Sequence, residues 1–187
     1  IMKFIIFFLT ICLCFNVDTK HKLSEYNIYK GDPKKLIPQD EFIPYSLITP
    51  LFTDYAHKHR MIYIPAGRKI QYNDSTVFDF PLGTIIVKTF YYPTNFDDIN
   101  SNIDLVETRL LVHEELGWKA YPYIWDKKDQ EATLSIVGGQ EIVEWEKNNK
   151  KHKINYFIPN VNQCKTCHVN NKTFVPIGPT ARQLNSN

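Results

Sequence analysis

No long stretch of a single charge runs through this chain. Lysine and arginine number 22 against 20 acids, a net charge of +2 at pH 7. The lysines are scattered among the acids, which argues against a nucleic-acid partner. The one basic cluster, residues 147–153, is interrupted by Asn148 and Asn149 and reads as a solvated turn. Apolar runs are equally scarce. The longest, residues 4–15, has twelve positions, against the about 20 that a bilayer-spanning helix needs. With Met2 and Lys3 ahead of it, this run suits the core of an export signal, so residues 1–19 are assigned to a signal peptide. No small-x-small cleavage pattern follows. Membrane attachment is open only through an uncleaved signal or a lipid on Cys14, where bulky Leu13 argues against the lipid. Common catalytic signatures are missing as well: no Gly-x-Ser-x-Gly, His-Glu-x-x-His or glycine-rich phosphate loop is present. Adjacent Glu114 and Glu115 would point apart on a strand. The loop with Asp97 and Asp98 lacks the glutamate spacing of a calcium hand.

What is present is strand. Residues 20–50 are polar and broken by Pro33, Pro38, Pro44 and Pro50, which allows a short helix over 23–29 and then extended chain laid over the surface. Segments 61–64, 69–72, 85–92, 105–113, 118–125, 132–137, 141–146 and 153–158 are β-branched, aromatic or alternating. In 105–113 the alternation puts Val106, Thr108, Leu110 and Val112 on one face and Glu107, Arg109 and His113 on the other, with His113 exposed. Gly138-Gly139 has the form of a two-residue hairpin turn. Short strands at regular intervals without an intervening amphipathic helix predict a mainly β fold, an antiparallel sandwich or barrel over residues 20–159. Its many aromatics fill the core or rim.

Cysteine is rare, and its placement carries the functional information. Of four cysteines, Cys12 and Cys14 fall inside the signal, leaving Cys164 and Cys167. These sit in Asn162-Gln163-Cys164-Lys165-Thr166-Cys167-His168. Cys-x-x-Cys-His is the pattern of covalent haem attachment. Two sulfurs three residues apart share one side of a helical turn, where each can form a thioether to one haem vinyl group. The next residue, His168, can then bind the iron as proximal ligand. Residues 160–187 are therefore assigned to a short C-terminal haem-bearing helical segment, capped by Asn160 or Asn162. One haem c per chain is expected. Without haem, the two thiols of an exported protein would close into a disulfide. Zinc would need further ligands at matching spacing, and none is present.

These residues also carry a resemblance. Thr49-Pro50-Leu51-Phe52-Thr53-Asp54-Tyr55-Ala56-His57-Lys58-His59-Arg60, Val77-Phe78-Asp79-Phe80-Pro81-Leu82-Gly83-Thr84, Lys88-Thr89-Phe90-Tyr91-Tyr92, Glu107-Thr108-Arg109-Leu110-Leu111, Gly117-Trp118-Lys119-Ala120 and the haem motif resemble a poorly characterised family of exported bacterial dihaem c-type cytochromes. Pro176-Ile177-Gly178-Pro179-Thr180-Ala181-Arg182-Gln183-Leu184-Asn185 continues the likeness. The resemblance implies haem attachment at Cys164 and Cys167 and ligation at His168. It also implies a second haem region downstream, so this chain corresponds to the N-terminal part, with one motif.

The iron's sixth position has three candidates. Met61 is the only methionine outside the signal, although a strand start suits it to the core. His57 and His59, two apart, would point the same way on a strand, and could instead hold copper or zinc with Asp54. The expected function is that of a periplasmic c-type cytochrome exchanging single electrons with redox partner proteins. The alternatives are a peroxidase-like haem enzyme with an open sixth site and a haem-free β-sandwich binding module.

Overall fold

The computed structural model describes residues 19–126, 130–170 and 172–185. Apart from Thr19, the segment assigned to the signal lies outside them. The fold is built on a six-stranded antiparallel meander: β1 (Phe42–Pro44), β2 (His57–Tyr63), β3 (Ile85–Pro93), β4 (Ile103–Glu114), β5 (Gly117–Asp126) and β6 (Glu131–Leu134). Each strand pairs with the next in sequence. The mainly β, antiparallel expectation holds, but the barrel does not: the sheet stays open. Its edge strands are short, and Pro44 of β1 has no N–H to offer a seventh strand. At the other edge Lys22 bridges to Thr133 of β6, and Leu134 N–H donates to the His21 carbonyl.

One face of this sheet is wrapped by the N-terminal segment. A 3-10 turn at Leu23–Tyr26 ends where Asn27 turns left-handed (φ 50°), which shortens the helix expected over 23–29. Leu23, Tyr26, Ile28 and Phe42 pack on Met61, Val87, Leu110, Val112, Tyr123 and Trp125. The chain over 33–44 is less extended than expected. It makes a second 3-10 turn, Pro33–Lys35, before joining the sheet as β1.

The opposite face carries two covers. One is the hairpin β7 (Gly139–Lys147) and β8 (Lys150–Ile158), which sets Val143, Trp145, Tyr156 and Ile158 on Phe90, Tyr92 and Val106. The other is the C-terminal segment: helix α1 (Val161–Cys167), a small ladder of β9 (Val169–Asn170) and β10 (Thr173–Phe174), and helix α2 (Ala181–Leu184). Among the described residues no helix is long and apolar enough to cross a membrane.

Three local expectations are corrected. Gly138-Gly139 does not turn a hairpin: β6 pairs with β5, and the chain then passes to the second layer. Gly138 (φ 73°) is required there because a Cβ would meet the Ile158 carbonyl oxygen at 2.4 Å. The hairpin turn is Asn148-Asn149, both left-handed (φ 52° and 56°), between paired Lys147 and Lys150. Residues 69–72 form no strand; Gln71 alone bridges to Asp79. In β4 the register steps at Val106, since Phe90 pairs with Glu107 and Tyr91 with Leu105. This bulge moves Val106 to the face of Glu107 and Arg109, away from Thr108 and Leu110.

Candidate functional site

The Cys-x-x-Cys-His motif forms α1 and its C-cap. Asn160 starts the helix with a reciprocal capping box: its side chain accepts from Gln163 N–H at 3.0 Å, and Gln163 accepts from Asn160 N–H at 2.9 Å. Cys164 faces the sheet, 7% exposed, in a cluster with Ile62, Phe80, Ile86, Leu111 and Ala120. Cys167 is exposed, and both are free thiols. Burial pushes the Cys164 thiol above its ordinary pKa, with the Arg109 charge pulling the other way.

His168 ends the helix and is held from both directions. Its backbone N–H donates to the carbonyls of Cys164 and Lys165. The β9–β10 turn then brings the chain back, so that Val175 N–H donates to the His168 carbonyl at 2.8 Å. The Val175 carbonyl in turn accepts from His168 Nδ1 at 3.1 Å, and Phe174 packs edge-on against the ring. With Nδ1 carrying the proton, Nε2 is left as the lone-pair nitrogen, the tautomer a metal ligand needs. Burial lowers the His168 pKa, opposed by its bond to Val175 and reinforced by the charges of Lys88 and Arg109. Burial thereby favours the neutral imidazole, the form that can coordinate. The donor set therefore fits a covalently held haem: two free sulfurs one helical turn apart and an oriented imidazole beside them. The part played by Val175 left no mark in the sequence, because the bond uses a backbone carbonyl that any residue could supply.

The three sixth-ligand candidates are not brought to this site. Strand alternation puts His57, His59 and Met61 on the face opposite to Lys58, Arg60 and Ile62, and Cys164 packs with Ile62. Met61 is fully buried among Leu23, Phe42, Val87 and Leu110. The His59 ring stacks with Tyr29, and His57 lies against Tyr91 and Phe96. Burial lowers the pKa of both histidines. The sheet stands between His168 and both Met61 and His59, while His57, at the start of β2, lies against Phe96, which packs on the hairpin-side cluster. Among the described residues no group of three or more His, Cys, Asp or Glu side chains converges on a metal site, so His57 and His59 with Asp54 form no copper or zinc centre.

Of the sheet histidines, His113 alone shares the motif's face. It is half-buried rather than exposed: its Nδ1 donates to the Phe80 carbonyl at 2.8 Å, and its ring stacks on Trp118 with centroids 4.7 Å apart.

The same face carries charge that strand patterning alone did not single out as a site. Arg60, Lys88 and Arg109 are direct cross-strand partners on β2, β3 and β4. Glu107, fully buried, receives the Arg109 guanidinium through Nε at 2.7 Å and through Nη2, and accepts from the Tyr156 hydroxyl at 2.7 Å. Burial works to lower the Arg109 pKa, but the bond to Glu107 and its charge outweigh that and raise it. Lys88 is pulled down to about 7, first by burial and then by the charges of Arg109, Arg60 and Lys58. Comparison with family models, with curated proteins and with solved structures returns no match for this chain.

Proposed function

We propose that this chain is an exported c-type cytochrome, or the N-terminal part of one, with one haem attached through Cys164 and Cys167. The observation that carries this reading is the placing of His168. The residue that the motif assigns to the iron has its Nδ1–H bound to the Val175 carbonyl, leaving Nε2 to coordinate. When bound, haem supplies an iron that gains and loses one electron. The chain's own contribution is to anchor the group at two sulfurs, fix the ring of His168, and shield that ring with Phe174 and the sheet. Redox partner proteins in an extracytoplasmic compartment would deliver and accept the electron. The test is heme staining after denaturing electrophoresis of protein matured in a haem-attaching host. The wild type should stain and the Cys164→Ser/Cys167→Ser variant should not. A stained double variant would refute covalent attachment at these sulfurs.

One observation favours a second reading, a haem enzyme with an open sixth site. Met61 and His59 are behind the sheet, His57 lies against Tyr91 and Phe96, and His113 is held against Trp118 and Phe80. A high-spin ferric spectrum that shifts on adding cyanide would support the enzyme. A low-spin spectrum indifferent to cyanide would support the carrier.

A further inference from the structure

The row of Arg60, Lys88 and Arg109 is an unusual thing for a sheet to retain. Like charges directly opposite one another on neighbouring strands repel, and here the repulsion spans three strands. Lys58, on the same face of β2 as Arg60, adds a fourth positive charge, with its Nζ donating to the Leu51 carbonyl at 2.7 Å. The buried carboxylate beside the row, Glu107, is engaged by Arg109 and Tyr156. Arg60 is left worst placed. It is 7% exposed, and its Nη2 has no hydrogen-bond partner among the described residues. A guanidinium buried with an unanswered N–H costs free energy on both counts, desolvation and the missing bond. An anion in front of the row would supply both the charge and the acceptor.

The direction of the row indicates which anion. Helix α1 lies against β5, the strand beside β4. The charge of Arg109 on β4 reaches both Cys164 and His168, and that of Lys88 on β3 reaches His168. Arg60 on β2 lies one strand further still, so the row crosses two strand spacings, about 10 Å. Away from β5 the order is therefore helix α1, Arg109, Lys88, Arg60. A haem has the same polarity, because its vinyl groups, which the cysteines take, sit on the edge opposite its two propionate carboxylates. Tyr45 packs in the Cys164 cluster, and its backbone N–H donates to the Arg60 carbonyl. It offers a hydroxyl beside the guanidinium.

We propose that Arg60, Lys88 and Arg109 form the seat for the two propionate carboxylates of the haem held by Cys164 and Cys167, with Arg60 pairing the outer one. This rests on the haem reading above, and the test separates the two. The full chain, matured with haem, is prepared as wild type, Arg60→Gln, Arg60→Lys and Lys88→Gln. Each is stained for haem and titrated spectroelectrochemically. Stain is expected in all four, since the thioethers are untouched. Removing a positive charge from beside a carboxylate leaves uncompensated negative charge near the iron, which favours the ferric state. At the wild-type midpoint the ferric-to-ferrous ratio should rise about tenfold in Arg60→Gln, a lowering of ~59 mV for one electron. Lys88→Gln should move the same way, and Arg60→Lys should recover most of the shift. Stained Arg60→Gln and Lys88→Gln proteins with the wild-type potential would overturn the seat while leaving haem attachment standing. So would calorimetric binding of inorganic phosphate to the haem-loaded wild type that Arg60→Gln abolishes, because the row would then be open. A wild type without stain would refute the haem reading, and the seat with it.

Discussion

Thr89 and Thr108 on one face of the six-stranded sheet, and Lys88 and Arg109 on the other, are chain neighbours that face opposite chemistries. On the N-terminal face the central polar groups are neutral and bonded, while the buried His59 Nδ1 has no partner among the described residues. Tyr29 and Thr89 share a hydroxyl bond of 2.6 Å, Thr89 and Thr108 one of 2.7 Å, and Trp125 Nε1 donates to Thr108 at 2.9 Å. Around them Met61, Val87, Leu110 and Val112 are closed off from solvent. On the C-terminal face the sheet presents Arg60, Lys88, Arg109 and Glu107, and it is covered by the short helix with the cysteines. Burial of neutral, bonded groups stabilises a fold, whereas burial of charge is kept at a cost unless partners are supplied. The difference teaches that the first face is built mainly from neutral packing, while the second buries the charge beside which the proposed site is placed.

Variants on each face would sharpen or break this contrast. The largest effect is expected from Glu107→Ala, which strands the Arg109 guanidinium and the Tyr156 hydroxyl in the interior. A loss of about 3–5 kcal/mol is expected for removing one partner of a buried pair, read by denaturant unfolding. A loss below ~1 kcal/mol would mean that the pair is not the tie between sheet and hairpin. Met61→Ala, on the N-terminal face, should cost about 2–5 kcal/mol through the cavity it leaves. The decisive reading is spectral: Met61→Leu, a swap of similar volume, should leave the ferric spectrum unchanged. A low-spin to high-spin conversion would instead restore Met61 as a ligand.

The charged face should also respond to pH. Unfolded, Lys88 holds its proton up to the ordinary value of 10.5, while folded it releases it at about 7. Between these values the unfolded chain binds more protons, so stability rises with pH across that window. In the chain without porphyrin, Lys88→Met should remove this slope and raise stability at pH about 7. An unchanged slope would place the titration elsewhere. The smallest effect is expected at the helix start. Asn160→Ala removes one side of the capping box, for about 1 kcal/mol, measured as a drop in unfolding midpoint.

Much of the scaffold was legible because alternation is a local signal. The cores of β3, β4, β5, β7 and β8 follow their β-branched and aromatic runs. What failed was the pairing of neighbours in space. Gly138-Gly139 has the composition of a hairpin turn, yet Gly138 is needed for a close backbone approach to Ile158, while the turn went to Asn148-Asn149. The alternation in β4 breaks at Val106, because a bulge depends on the partner strand. Met61, His57 and His59 were ligand candidates by residue type alone. One strand cannot tell which of its faces will meet a helix a hundred positions later.

The residues proposed to hold haem, Cys164, Cys167 and His168, were set by sequence alone, since their spacing is a property of one helical turn. The alternating strands were set the same way. Only the tertiary structure decided that Val175 would orient His168, that Arg60, Lys88 and Arg109 would stand side by side, and that the sheet would separate Met61 from the motif. The physical reason is register: cross-strand neighbours come from distant parts of the chain, and a shift of one residue would turn each of those side chains to the other face.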